Sequence, residues 1–299
     1  MFDVTPQLDC AGRILKLDRP RVMGIVNVTP DSFSDGGAHG DPQAAVAHGL
    51  ELAEQGADIL DIGGESTRPG ADEVPLEEEL RRTIPVVERL AKQVSLPISI
   101  DTSKPEVMRA AVEAGAGMIN DVHALRREGA LDAAAALGVP VVLVHMLGQP
   151  RSMQEAPHYD DVVGEVHRFL AERIFSAEMA GIDRKRIVVD PGFGFGKTRE
   201  HNLALLAQLQ RFAELGVPVL AGLSRKRTIG ELTGREIAAE RVHGSVAAHL
   251  IAAQRGAGIV RVHDIAATVD ALKVWTAVAA VPVPRAAPAT PAVRWPDDG

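Results

Sequence analysis

One cadence recurs along the chain and restricts its fold more than any other feature. A helix-like stretch ends at glycine, a short apolar run follows, and a polar residue closes it. It is seen in EQGADILDIGGES, EAGAGMINDV, LGVPVVLVHM, AGIDRKRIVVDPG, LGVPVLAGLSRK and RGAGIVRVHD. RVMGIVNVT and LPISIDTS supply two further apolar runs without the glycine lead-in. Glycine suits a helix C-terminus because it takes the left-handed cap conformation without steric cost. The runs are continuous and β-branched rather than alternating, the pattern of strands buried on both faces of a parallel sheet. Eight strands are therefore expected, near residues 21–29, 57–63, 97–102, 117–122, 139–146, 186–191, 217–223 and 258–263, each followed by a helix. Between them, Asp41 is placed to N-cap a helix opening at Pro42, and REIAAERVHGSVAAHLIAAQRG reads as one long amphipathic run. Eight such units predict an α/β protein with a single (β/α)8 barrel domain over residues 21–281. A doubly wound open sheet is the runner-up, but it has no need of the eighth unit. Residues 1–20, with GRILKLDRPRV, read as a short strand pair capping the barrel base. Residues 282–299, rich in Pro and Ala without periodicity, read as a disordered tail.

Composition narrows the function. A formal net charge of -8 argues against a nucleic-acid or anionic-membrane partner, both of which need concentrated basic surface. Cys10 is the single cysteine, so no internal disulfide can form and a reducing cytoplasm is expected. The N-terminal residues show no signal peptide, and no apolar run approaches the ~20 residues that span a bilayer.

In a (β/α)8 barrel the chemistry sits at the C-terminal ends of the strands. Those ends carry Asn27, Asp61, Asp101, Asn120 with Asp121, His145, Asp190, Ser224 to Lys226, and Arg261 with His263. A polar group in a buried strand costs several kcal/mol unless paired, so eight polar endings on one face point to a site. Asp61 and His145, taken singly, read as structural. Lys226, Arg261 and His263 come from the last two strands, where such barrels commonly hold phosphate. Arg68, in ESTRPG, would add a fourth donor from the opposite side. Asp101, Asn120 and Asp190 face them from the middle strands. A carboxylate reads two adjacent N–H groups and an Asn supplies donor and acceptor, which suits a heteroaromatic amide such as a pterin.

The loop DPGFGFGKT is not a Walker loop, because Asp190 or Pro191 stands where GxxxxGK[ST] requires its first glycine. Its glycines suit a backbone that swings aromatic rings over a flat ligand, with Phe193 the residue more suited to the core. No cysteines or histidines stand at zinc spacing, and no Ser-His-Asp set or GxSxG elbow is present. Lys197 and Lys226 could form a Schiff base, but neither reads as desolvated among so many polar neighbours. Asn27 beside a diphosphate would suit Mg²⁺, which takes one or two protein oxygens together with phosphate and water.

Together, NVTPDSFSDGG, GGESTRPGA, SIDT, IND, DPGFGFGKT, LSRK and RVHD, in this order, closely resemble the dihydropteroate synthase family over about residues 20–280. The resemblance implies a (β/α)8 barrel, Mg²⁺, a homodimer, and condensation of 6-hydroxymethyl-7,8-dihydropterin diphosphate with p-aminobenzoate to release diphosphate. It further implies that Asn27 meets the Mg²⁺–diphosphate; that Asp101, Asn120, Asp190 and Lys226 hold the pterin; and that Thr67, Arg68, Arg261 and His263 hold the diphosphate. Phe33, Pro69 and Phe195 would line the p-aminobenzoate pocket. Arg227 stands where many members have a serine that helps hold the p-aminobenzoate carboxylate, so the backbone N–H at that helix start is the group left for the task.

The implied chemistry explains the long polar loop after the first barrel strand. Departing diphosphate leaves a cation delocalised into the pterin ring, which a fixed charge on Asp101 would stabilise. Water competes with the weakly nucleophilic arylamine, and a loop hinged at Gly36 and Gly37 with Phe33 as a seal would exclude it. Two rival readings exist: a methyl-tetrahydrofolate-binding methyltransferase barrel, with no use for the SRK, RVHD and STRPG groups, and a catalytically silent pterin-binding paralogue, which should have lost a lid motif.

Overall fold

The structure, a computed structural model, describes residues 6–29, 42–66, 70–148 and 153–282. The expected N-terminal pair is present as antiparallel strands β1 (Gln7–Cys10) and β2 (Arg13–Lys16). Ala11 and Gly12 turn the hairpin at positive φ, and Gly12 N–H donates to Asp9 Oδ1 at 2.7 Å. Leu8, Cys10 and Leu15 bury against Met23, Ile59, Met118, Val142, Val188, Leu220 and Ile259, so the hairpin plugs the N-terminal end of the barrel. The approach is close: a Cβ on Gly117 would lie 2.4 Å from Cys10 O, which only glycine permits.

The barrel follows in chain order. Its units are β3 (Arg21–Asn27) and α1 (Pro42–Glu54), β4 (Ile59–Gly63) and α2 (Leu76–Gln93), β5 (Ile98–Asp101) and α3 (Pro105–Glu113), and β6 (Met118–Asp121) and α4 (Ala130–Leu137). They continue with β7 (Val141–Val144) and α5 (Val162–Met179), then β8 (Ile187–Asp190) and α6 (Arg199–Ala207). Last come β9 (Val219–Ala221) with α7 (Arg227–Thr233) and α8 (Val242–Gln254), and β10 (Ala257–Val262) with α9 (Ile265–Ala279). Every pairing from β3 to β10 is parallel, and β10 closes against both β3 and β9. All eight expected strands are therefore in the closed barrel.

One helix expectation fails. The run from Arg235 to Gly256 is not continuous: α7 ends at Gly234 in the left-handed region, and Ala238–Arg241 form a 3-10 turn before α8 begins. The Arg241 guanidinium donates to the carbonyls of Arg235 and Glu236, oxygens that a continuing helix would have used, and to Arg225 O before α7. Nine α-helices result among the described residues. Pro42 opens α1 as expected, while its predicted N-cap Asp41 and the tail expected from residue 282 onward, apart from Pro282, lie outside the described residues.

Strand alternation divides the core in two. Val22, Val26, Leu60, Ile62, Ile98, Ile100, Ile119, Val141, Leu143, Val189 and Val260 point outward and pack under the helices. Met23, Ile59, Met118, Val142, Val188, Leu220 and Ile259 point inward and fill the barrel. Because side chains alternate with period two, this parity decides which strand-end residue faces the barrel mouth.

Candidate active site

The inward parity set by Met23, Ile59, Met118, Val188 and Ile259 continues up the strands to Ile25 and Asn27, Asp61, Asn120, Asp190, and Arg261 with His263. A pocket at the C-terminal mouth is lined by Asp101, Asn120, Asp190, Lys226, Arg261 and His263, with Phe195 on its wall. Six of the predicted site residues thus converge with Phe195 beside them. The other parity leads elsewhere. Asp121 is fully buried outside the barrel, accepting from Ser103 Oγ and from the N–H groups of His123 and Leu125. His145 packs edge-on to Phe169 with ring centroids 4.8 Å apart. A larger groove of about 760 Å³ runs outside the barrel past Glu73, Lys104, Arg109 and Arg127, and none of the strand-end groups reaches it.

Arg261 spans the floor of the mouth. Its Nε donates to Asp61 Oδ2 at 2.6 Å and a terminal nitrogen donates to Asp101 Oδ2 at 2.7 Å. Asn120 Nδ2 also donates to Asp61 Oδ2, at 3.0 Å. Asn120 Oδ1 and Asp61 Oδ1 are buried with no hydrogen-bond partner among the described residues. Burial raises the Asp101 carboxyl to about 7, against the opposing pull of Arg261. Burial also raises Asp190, although Gly192 N–H donates to its Oδ1 at 2.7 Å. Burial lowers Lys226 to about 8, with Asp190 acting in the opposite sense. His263 Nδ1 lies 2.9 Å from Ser224 Oγ, which also accepts from the His263 backbone N–H.

Lys226 is presented by a strained turn. Arg225 sits at φ 55°, in the left-handed region, and is held there by paired bonds to Asp264 and by Ser245 Oγ accepting from its N–H. Lys226 Nζ donates to Phe193 O and lies 4.2 Å from the centre of the Phe195 ring. Phe193 is buried in the core and Phe195 faces the pocket, the division expected from the sequence.

The DPGFGFGKT loop corrects one expectation: it is pinned, not free to swing. Each carbonyl from Gly192 to Gly196 accepts a side-chain bond. Lys197 Nζ donates to Gly192 O at 2.9 Å and Phe195 O at 3.0 Å, Lys226 Nζ to Phe193 O, Gln154 Nε2 to Gly194 O at 2.6 Å, and Tyr159 O–H to Gly196 O at 2.9 Å. The Gly194 N–H donates to Asn202 Oδ1 at 2.7 Å. The reading of both lysines as solvated is also wrong. Lys197 is buried, it also contacts His145 at Nδ1 (2.8 Å) and at its carbonyl O (3.5 Å), and burial lowers its pKa well below the ordinary lysine value. Burial, with Lys197 alongside, pushes His145 down to about 2, so the ring is neutral. Loop carbonyls replace the water that the sequence suggested around Lys197.

Other predicted residues lie apart. Asn27 ends β3, beside Gly63 in the register with β4. Arg227 begins α7 with its side chain 86% exposed and paired to Glu231, pointing along its own helix rather than toward the pocket. Phe33, Thr67, Arg68 and Pro69 lie outside the described residues. The sequence reading missed Asp61 as part of the mouth. The signal was available: Asp61 stands two residues after inward-facing Ile59, on the parity that leads to Gly63.

Among the described residues, no three His, Cys, Asp or Glu side chains converge as a metal site, and no helix is long and apolar enough to cross a membrane.

The chain matches the family model described as pterin binding enzyme over residues 23–263. It is 54% identical over 226 residues to the dihydropteroate synthase of Escherichia coli strain K12, covering 76% of this chain and 80% of that one. The Xanthomonas albilineans dihydropteroate synthase solved with 4-aminobenzoic acid superposes with a TM-score of 0.90 at 74% identity, over 93% of this chain and 100% of that one. The same enzyme in complex with 7,8-dihydropteroate superposes at 0.86, with 71% identity and the same coverage. By this family match over residues 23–263, these identities and the shared fold, the chain belongs to the pterin binding enzymes, in the dihydropteroate synthase family.

Proposed function

We propose that the chain condenses 6-hydroxymethyl-7,8-dihydropterin diphosphate with p-aminobenzoate, releasing diphosphate and 7,8-dihydropteroate. The observation that carries this reading is the pairing of two chemistries in one mouth. Asp101, Asn120 and Asp190 line it together with Lys226, Arg261 and His263. Asn120 Oδ1, buried and unpartnered, is an acceptor whose desolvation calls for a ligand donor. A pterin amide and amino edge supplies such donors. The cations suit diphosphate and have no role in a methyl-transfer barrel.

In this reading the Asp101, Asn120 and Asp190 side chains hold the pterin ring while its exocyclic C–O bond breaks. Arg261, His263, Thr67 and Arg68 bind the departing diphosphate, and Lys226 sits between ring and anion. The Asp101 carboxylate stabilises the positive charge that develops on the ring system. The arylamine nitrogen then forms the C–N bond and loses its proton, with Phe195, Phe33 and Pro69 orienting the aryl ring and Arg227 N–H at the start of α7 near its carboxylate. The pinned 192–196 loop supports this by holding Phe195 and Lys226 in place before substrate arrives, which removes an ordering cost.

Mg²⁺ fits this site as a substrate-borne ion: the amide oxygen of Asn27 would hold it together with diphosphate oxygens and water. When bound, it would neutralise charge accumulating on the leaving diphosphate. We also propose a homodimer, supported by exposed Ile251 on α8 and Val274 and Val278 on α9, apolar side chains that a partner would cover. A cytoplasmic setting is supported by Cys10, a buried free thiol whose pKa burial pushes up to about 12.

The test is diphosphate release on mixing the protein with both substrates and Mg²⁺, against mixtures lacking one. Release that requires both substrates is expected. Its absence would reject the reading.

A further inference from the structure

Asp61 is a fully buried carboxylate that bonds through only one of its oxygens. Oδ2 accepts from Arg261 Nε at 2.6 Å and Asn120 Nδ2 at 3.0 Å, while Oδ1 is buried without a partner among the described residues. A buried charge satisfied on one side only is poor value for stability, since the unpaired oxygen carries a desolvation penalty. It does join two groups of different assignment: Asn120, given to the pterin, and Arg261, given to the diphosphate. It also places Arg261 between two carboxylates, because Asp101 Oδ2 lies 2.7 Å from the other arm of the guanidinium. The anion-binding cation is thereby oriented and substantially neutralised at the same time.

We propose that Asp61 is a positioning residue that locks Arg261 and Asn120 in register and holds down the affinity of the site for diphosphate, so that the leaving group is stabilised without being retained. This inference rests on the assignment of Arg261 to diphosphate. The logic follows from charge. A fixed guanidinium stabilises charge that develops during bond breaking, whereas a negative group behind it weakens attraction for the same anion once it is a free product. Binding that is equally strong to reactant, transition state and product brings no gain in turnover.

The structure therefore makes a prediction of opposite signs. Asp61→Asn keeps the shape and keeps an amide oxygen to accept from Arg261 Nε and Asn120 Nδ2, but removes the charge. Inorganic diphosphate with Mg²⁺, titrated calorimetrically, should bind at least about threefold more tightly than to the unaltered protein. In steady state, KM for the pterin diphosphate should fall, and kcat should fall at least about tenfold. A merely structural role would weaken binding and turnover together. Unchanged or weaker diphosphate binding by folded Asp61→Asn protein overturns the inference. If that variant does not fold, Asp101→Asn carries the binding arm, since it removes the other charge on the same guanidinium and should also tighten diphosphate; weaker or unchanged binding there overturns the inference as well. Arg261→Lys separates the two layers. If it leaves diphosphate affinity unaltered, the assignment of Arg261 is wrong. If it weakens diphosphate while Asp61→Asn fails to tighten it, the assignment stands and the role given to Asp61 falls.

Discussion

In the proposed mechanism two titrating groups of the mouth, Asp101 and Lys226, should set a narrow pH window for activity. Burial raises Asp101 from 3.8 to about 7, and in the proposed mechanism it must be ionised to stabilise a developing cation. Burial lowers Lys226 from 10.5 to about 8, and in the proposed mechanism it must be protonated to bind ring and anion. Activity governed by the free protein is therefore lost as pH falls through about 7 and again as it rises through about 8. With limbs one unit apart, only about 0.6 of the protein is in the active form at the optimum near 7.5, and kcat/KM falls about sevenfold at either pH 6 or pH 9. Stability has the opposite dependence. A carboxyl whose folded pKa lies above its unfolded value weakens the native state as pH rises from 3.8 toward 7. A lysine whose folded pKa lies below 10.5 weakens the native state below about 8, and the native state recovers as pH rises toward 10.5. Activity should therefore peak where these two groups cost the fold most. The assay is the initial rate of diphosphate release at subsaturating pterin diphosphate across the pH range, in unaltered protein and in Asp101→Asn. The substrate diphosphate titrates alike in both, so the contribution of Asp101 is the part of the acid limb that the substitution removes. Because the groups interact, the fitted values belong to the cluster rather than to single residues. An acid limb at the same position and steepness in Asp101→Asn would refute this account.

Gly192→Ala should abolish pterin binding and lower the thermal midpoint. Its φ is +70° and a Cβ would lie 1.8 Å from His145 O, so the pinned loop cannot keep its place; an unchanged Tm and pterin affinity would contradict the geometry. Lys104→Met should cost about 3–5 kcal/mol in denaturant unfolding, because Lys104 pairs with both Glu65 and Glu79 and Glu79 is 1% exposed. Burial already raises the Glu79 pKa, so the loss should shrink as pH falls and the carboxyl takes up a proton. A loss independent of pH would show that packing, not charge, is what the lysine supplies.

Repetition made the fold legible. Eight apolar runs of strand length, separated by capped helical segments, admit few arrangements when each run must be buried on both faces, and a closed parallel barrel is the one that uses all eight. Polar strand ends located the mouth, and Asp101, Asn120, Asp190, Lys226, Arg261 and His263 all line it. Period two, also written in the sequence, separates Asn120 from Asp121 and brings in Asp61 while excluding His145. What the sequence does not contain is which polar groups neutralise one another. Asp61 and Arg261 are 200 residues apart, Asp101 and Arg261 160, and Lys197 meets His145 across 52. The two pairings of Arg261 exist because closure of the barrel brings β10 round to β3 and sets inward side chains of β4, β5 and β10 at one depth. The Lys197 pairing exists because β7 and β8 lie side by side and bring their following loops together. Electrostatic state depends on these distances and on the water they exclude. A lysine or carboxylate in the sequence is therefore only a charge of known kind, and whether it is free, paired or held nearly neutral is decided by the tertiary structure.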